Sequence, residues 1–124
     1  MQDEDAGNTE FRRSAELQSQ MDKIGGRFLD RVLAEFDAME KLLVALASGD
    51  GAAPPALEMF AHRIHGSSAI FGFSSLSEAA GALEALLGTD QVKKDPVASL
   101  QEVVDGMAAV RAAAEAARGA SAAR

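Results

Sequence analysis

The chain has two histidines, His62 and His65, three residues apart in a segment of helical composition. An imidazole can act near neutral pH as a nucleophile, a general base or a metal ligand. Glu58 precedes His62 by four residues, so one helix would bring the three side chains near one another. Two chemistries therefore remain open: a reactive histidine on a helix surface, or a Zn²⁺ site formed by Glu58, His62 and His65.

The direction in which His62 points follows from the apolar pattern around it. On a helical wheel with about 100° per residue, His62 lies roughly 140° from the centre of the apolar face and Gly66 about 180° from it. Both residues should therefore face solvent. The face predicted to lie in the core comprises Leu57, Phe60, Ala61, Ile64, Ser68 and Phe71.

The surroundings of His62 are unusual for a solvated helix surface, which is normally rich in Lys and Glu. A glycine in a helix interior costs about 1 kcal/mol relative to alanine. One turn after an exposed histidine, however, Gly66 removes a side chain that would crowd the approach to the ring. The pattern predicts a docking surface with a reactive imidazole at its centre. Its partner-binding residues would be Met59, Arg63, Ala69 and Ile70.

The elements that position this face are all helical, because alternating β-branched runs are missing and Ala, Leu, Glu and Met dominate. Helices are predicted at about 10–21, ending before the Gly25-Gly26 pair, and at 27–47, 54–71 and 75–87. Ser75-Leu76-Ser77-Glu78 would cap the fourth of these helices, and residues 88–94 form a loop. Asp95 would cap the last helix, with Pro96 at its first position. The predicted fold class is all-α, an antiparallel four-helix bundle with a short additional N-terminal helix.

The bulk composition limits the function. With 124 residues there is room for one domain, predicted at 10–118 between a flexible N-terminus at 1–9 and a disordered tail at 119–124. A net charge of −7 argues against nucleic acid and anionic membranes as partners. The sequence has no cysteine and no apolar run of about 20 residues. Because Met1 to Asp5 is acidic and no apolar stretch follows it, we expect that this segment is not a signal peptide. We expect a cytoplasmic monomer.

Several segments resemble one known family. Residues Ala61 to Ser68 (AHRIHGSS) resemble the signature of histidine phosphotransfer (HPt) domains: His, any residue, an aliphatic residue, Lys, Gly, then small residues. The match continues in register through Phe71-Gly72-Phe73, which is similar to the phosphoacceptor domain of chemotaxis histidine kinases. It also includes Leu76, Leu83-Glu84 and, upstream, Leu43 to Asp50. The resemblance extends from about Phe28 to Leu87.

The resemblance implies a role for each site residue. His62 would be the phosphoacceptor, and Nε2 of its ring would exchange a phosphoryl group with an aspartate of a receiver domain. Glu84 matches the glutamate that orients the ring through Nδ1 in chemotaxis-type relatives. The implied partners are response-regulator receiver domains, a hybrid histidine kinase, or both. The receiver would supply Mg²⁺, so this domain would bind no cofactor and no metal and would be a phosphoryl carrier without autonomous catalysis.

One position departs from the family pattern. Relatives usually carry Lys or Arg three residues after the phosphoacceptor, where this chain has His65. Because an imidazole is mostly uncharged near pH 7, its support for the phosphoryl group would be conditional. Two other readings stay open: an adaptor that binds a signalling partner through this face without phosphorylation, and the metal site. The metal site is disfavoured because metal sites in helical bundles use inward-facing Glu-x-x-His pairs on two helices.

Overall fold

The computed structural model describes residues 2–122 and the side chains of residues 9–121, and this part of the chain contains helices and no strand. Four long helices form an antiparallel bundle in which each packs against the next along the chain and the last packs against the first. A fifth, short helix lies in the connection between the third and fourth long helices. The predicted all-α four-helix bundle is thus confirmed. The helices are α1 (Gln2–Ala47), α2 (Ala53–Ile70), α3 (Ser74–Leu87), α4 (Asp90–Lys94) and α5 (Leu100–Ala122).

Each long helix contributes one apolar stripe to a single core. Most of the predicted core face of α2 is confirmed, since Leu57, Ala61, Ile64 and Ser68 are buried. Phe60 and Phe71 are only half-buried, and Phe71 lies just after the end of the helix. Full burial of a Leu, Val or Ile side chain contributes about 1.5–3 kcal/mol to stability, so these stripes fix which side of each helix faces outward. The stripes of the other helices are Leu29, Val32, Phe36, Met39 and Leu46 on α1, Leu76, Ala80, Leu83 and Leu87 on α3, and Val103, Met107, Val110 and Ala114 on α5.

The separate N-terminal helix is a wrong prediction, because α1 runs unbroken through Gly25 and Gly26. Both glycines are buried. A Cβ atom at Gly25 would lie 3.1 Å from Cζ of Phe73, and one at Gly26 would lie 3.6 Å from a guanidinium nitrogen of Arg118. The pair allows close packing of α1 against its neighbours, which offsets the cost of about 1 kcal/mol for a glycine within a helix.

The chain ends also differ from the expectation. Residues 2–9 and 119–122 are helical, where composition predicts a flexible N-terminus and a disordered tail. The remaining parts of those two segments, Met1, Ala123 and Arg124, lie outside the described residues.

The predicted capping box at Ser75 is wrong. Helix α3 begins one residue earlier, at Ser74, and its N-cap residue Phe73 makes no side-chain capping hydrogen bond. The hydroxyl of Ser77, an inner position of the predicted box, contacts His65 on α2.

The connection between α3 and α5 is more ordered than predicted. The expected loop at 88–94 contains α4, whose first turn is capped by Thr89, with Oγ1 accepting a hydrogen bond from Val92 N. Val92 is buried, and this burial holds the short helix in place. Helix α5 begins at Leu100 rather than at Pro96, and Asp95 accepts a hydrogen bond from Ala98 N in the preceding turn. None of the helices in the described part of the chain is long and apolar enough to cross a membrane.

Candidate functional site

His62 projects from the middle of α2 into solvent, as the wheel predicts, and its side chain is 73% exposed. Nδ1 of its ring lies 2.5 Å from Oε2 of Glu84 on α3, whose side chain is 26% exposed. An ionised carboxylate can only accept hydrogen bonds, so Nδ1 carries the hydrogen. In the neutral ring, Nε2 then keeps a free lone pair. A ring held in this way can act as a nucleophile through Nε2.

The contact between His62 and Glu84 is one step in a regular pairing of α2 with α3. The two helices are joined by a tight turn in which Gly72 has a φ of +77°, a left-handed conformation that favours glycine. Because the two helices are antiparallel, His65 lies opposite Gly81 on one side of the His62–Glu84 pair, and Glu58 lies opposite Gly88 on the other. On either side of that pair, a polar residue of α2 thus faces a glycine, Gly81 within α3 and Gly88 at its C-cap.

His65 lies at the edge of the outward face, as expected, and its ring turns toward α3. The residue is half-buried, and its Nδ1 lies 2.7 Å from the backbone oxygen of Ser77. The hydroxyl of Ser77 lies 3.2 Å from the same nitrogen and donates to the backbone oxygen of His65. Because a carbonyl oxygen only accepts, Nδ1 of His65 carries a hydrogen as well. Its ring also lies against Gly81, where a Cβ atom would lie 2.9 Å from ring atoms.

The face around His62 is as open as predicted. A Cβ atom at Gly66 would have no other atom within 4 Å. Met59 is 67% exposed and Ile70 is 77% exposed, and Ala69 is exposed as well. These residues form an apolar rim that no described side chain covers.

Arg63, the remaining residue predicted to bind a partner, has contacts within the chain. Its guanidinium lies 3.9 Å from Glu35 of α1 and stacks over the ring of Phe60 at 4.9 Å. More than half of the side chain is still exposed. Arg63 therefore presents a partly neutralised charge at the edge of the face.

A groove beside His62, of about 380 Å³, was not anticipated from the sequence. Its far wall is formed by α1, through Phe28, Arg31 and Glu35. Phe28 stacks on Phe71 with ring centroids 5.3 Å apart, which anchors this end of the wall. The spacing of these α1 residues at i, i+3 and i+7 was the available signal, since it places them on one side of the helix.

The residues of the alternative metal site point to different partners. Glu58 approaches Gly88, His62 contacts Glu84, and His65 contacts Ser77. Within the described part of the chain, no three His, Asp or Glu side chains converge so that they could hold a metal ion.

The comparisons with known proteins give one match. Neither the curated proteins nor the solved structures contain a significant match to the chain. The family of Hpt domains matches residues 23–119, which include all of α2, α3 and α4, just over half of α1 and most of α5. Domains of this family carry phosphoryl groups on histidine in phosphorelays, rather than acting as catalysts themselves. This histidine-bearing helical bundle belongs to the Hpt domain family.

Proposed function

We propose that the protein relays a phosphoryl group between receiver-domain aspartates and His62 in a two-component phosphorelay. The observation that carries this proposal is the placement of the His62 ring. Nδ1 contacts the carboxylate of Glu84, and Nε2 lies on an exposed, uncrowded face. That is the arrangement a phosphoryl acceptor needs, because phosphoryl transfer depends mainly on positioning and on charge stabilisation.

The transfer step has a simple balance of bonds. Nε2 of His62 forms a bond to phosphorus as the bond between phosphorus and the aspartate oxygen breaks, and the carboxylate remains on the receiver. The ring then carries a positive charge together with its Nδ1 hydrogen. Glu84 holds that hydrogen and stabilises that charge, as a carboxylate does for the imidazolium of a catalytic triad. The return reaction follows the same path when an unphosphorylated receiver docks.

The docking surface for the receiver would be the rim around His62 and the adjacent groove. Met59, Ala69 and Ile70 supply exposed apolar area, and Arg63 supplies a cation at the edge. Exposed apolar patches of this kind commonly mark interaction sites. The Mg²⁺ that phosphoryl transfer requires would be bound by the receiver, so this chain need supply no cofactor.

The test is transfer from a phosphorylated receiver domain, generated with a labelled phosphodonor, to the wild-type protein and to His62→Gln. Wild type should acquire label that is lost in acid and retained in base, as expected for phosphohistidine. His62→Gln should acquire none. His65→Gln is a matched control, since it removes the chain's other imidazole and should leave some transfer.

Two results would contradict the proposal. Label on His62→Gln would place the phosphoryl group elsewhere. Binding of a receiver without any transfer to wild type, together with normal signalling by His62→Gln, would favour the adaptor function instead.

A further inference from the structure

We propose that His65 is a positioning residue that acts with Gly81 to hold α3 at the distance and register where Glu84 reaches His62. The inference rests on the proposed function and assigns His65 a role other than direct support of the phosphoryl charge. The feature that carries it is the interlocked contact of the His65 ring with Ser77 and Gly81.

The contact fixes both the register and the separation of the two helices. The hydrogen bond from Nδ1 of His65 to the backbone oxygen of Ser77 is 2.7 Å long and ties α2 to the first turn of α3. The flat ring then occupies the space over Gly81, which any side chain would fill. A glycine within a helix costs about 1 kcal/mol, so its presence here needs a compensating contact, which the ring provides.

The contact between His65 and Gly81 lies one helical turn from the contact between His62 and Glu84. His62 precedes His65 by three residues on α2, and Glu84 follows Gly81 by three residues on α3. Since residues three apart lie on the same side of a helix, a shift of α3 at Gly81 moves Glu84 with it. The contact between Nδ1 of His62 and Oε2 of Glu84 measures 2.5 Å and would be broken by a displacement of about 1 Å.

The orientation of the ring argues against the alternative that His65 replaces the family's usual Lys or Arg as a charge. Its Nδ1 is committed to an acceptor on α3, and its ring lies between the helices rather than over the open face. The two roles make opposite demands on a substitute. If His65 is a positioning residue, its substitute must be short and must donate a hydrogen bond from the place of Nδ1. If His65 supports the phosphoryl charge, its substitute must be a long, positively charged side chain.

The test compares His65→Asn, His65→Gln, His65→Lys and Gly81→Ala by transfer kinetics and by ¹⁵N NMR of the His62 ring. The amide nitrogen of Asn lies about where Nδ1 of histidine lies, and that of Gln about where Nε2 lies. Asn should therefore keep the transfer rate within about twofold, while Gln and Gly81→Ala should lower it by about five- to tenfold, the range for lost supporting hydrogen bonds. In these two slower variants, the Nδ1–H form of His62 should lose population to the Nε2–H form.

The NMR readout uses the unphosphorylated protein alone, so it separates this inference from the proposed function. A changed His62 tautomer in Gly81→Ala supports the inference even if no receiver transfers phosphate. Unchanged tautomers in His65→Gln and Gly81→Ala, in folded proteins, would overturn it. So would a His65→Lys variant that transfers at the wild-type rate or faster while His65→Asn transfers slowly.

A double variant covers the case in which Gly81→Ala perturbs the fold by itself. If the ring of His65 is what the added methyl group meets, Gly81→Ala should have little further effect on the tautomer in a His65→Ala background. If the effects of the two substitutions on the His62 tautomer simply add, the contact between His65 and Gly81 is not what holds Glu84 in place.

Discussion

Replacement of Glu84 by Gln and by Ala separates two contributions to the reactivity of His62. Glutamine keeps an oxygen that can accept from Nδ1, so the ring stays oriented while the negative charge is lost. Alanine removes both the charge and the acceptor, which frees the ring to take the other tautomer, with the hydrogen on Nε2. We expect wild type to transfer faster than Glu84→Gln, and Glu84→Gln faster than Glu84→Ala.

The size of the charge effect follows from the geometry. With about 4 Å between charge centres, Coulomb attraction ranges from about 1 kcal/mol in water to about 4 kcal/mol near a protein surface. The His62 side chain is 73% exposed and that of Glu84 is 26% exposed, so solvent screens the pair and the lower part of the range applies. About 1.4 kcal/mol in the transition state corresponds to a tenfold slower transfer for Glu84→Gln. Because Glu84→Ala also loses the orientation of the ring, its transfer should be slower than that of wild type by up to about a hundredfold.

The assay is single-turnover transfer from a phosphorylated receiver, measured by rapid quench at saturating receiver so that binding does not enter the rate. Glu78→Gln is the matched control, since this glutamate lies on the same helix and is exposed. It should transfer at the wild-type rate. A Glu84→Ala rate within twofold of wild type, with the fold intact by circular dichroism, would refute the role assigned to Glu84.

Two further predictions concern the face around His62. Gly66→Ala should raise the free energy of unfolding by up to about 1 kcal/mol, because the added methyl group meets open space. It should also slow transfer severalfold by crowding the approach to His62. Urea unfolding and transfer kinetics measure the two effects, and a variant that is both more stable and faster would show that access to His62 is not the reason for this glycine. Ile70→Glu should weaken receiver binding by about tenfold or more in a calorimetric titration, an effect expected when an apolar anchor of an interface is replaced. Val44→Glu alters a similarly exposed residue, on the side of α1 away from the groove, so equal losses for both variants would place the receiver elsewhere.

The positions of the long helices could be predicted from apolar spacing, whereas their ends and one connection could not. The stripe that includes Leu57 and Ile64 determines which face of α2 is buried, because burial dominates the energetics. The pair Gly25-Gly26 predicted a helix end, because two adjacent glycines usually interrupt a helix. The sequence does not show that Phe73 and Arg118 pack against these glycines. At that pair, tertiary contacts overrode local preference. Ser75 and Glu78 have the spacing of a capping box, but the helix begins at Ser74, so the local pattern misplaced its first residue.

For the site, the sequence predicted what a single helix determines and missed what arises between helices. The exposure of His62 and the open space at Gly66 follow from the wheel of α2 alone. The proximity of Glu84 was anticipated only through the family resemblance, since no local pattern reports a distance between α2 and α3. The direction of the His65 ring and the part played by Gly81 required the structure, because both depend on the pairing of the two helices.

If His62 is the phosphoacceptor, the side chains around it bear on the equilibrium of transfer. Gly66, one turn after His62 on the open face, carries no side-chain donor that could bind the oxygens of a phosphoryl group, and the groove beside the ring offers donors only from Arg31, Arg63 and Ser67 among the described residues. The guanidinium of Arg63 is already shared with Glu35 and Phe60. A phosphoryl group held by so few side-chain donors would not be trapped on this domain. The direction of net flow would then be set by the concentrations of phosphorylated and unphosphorylated partners rather than by this domain.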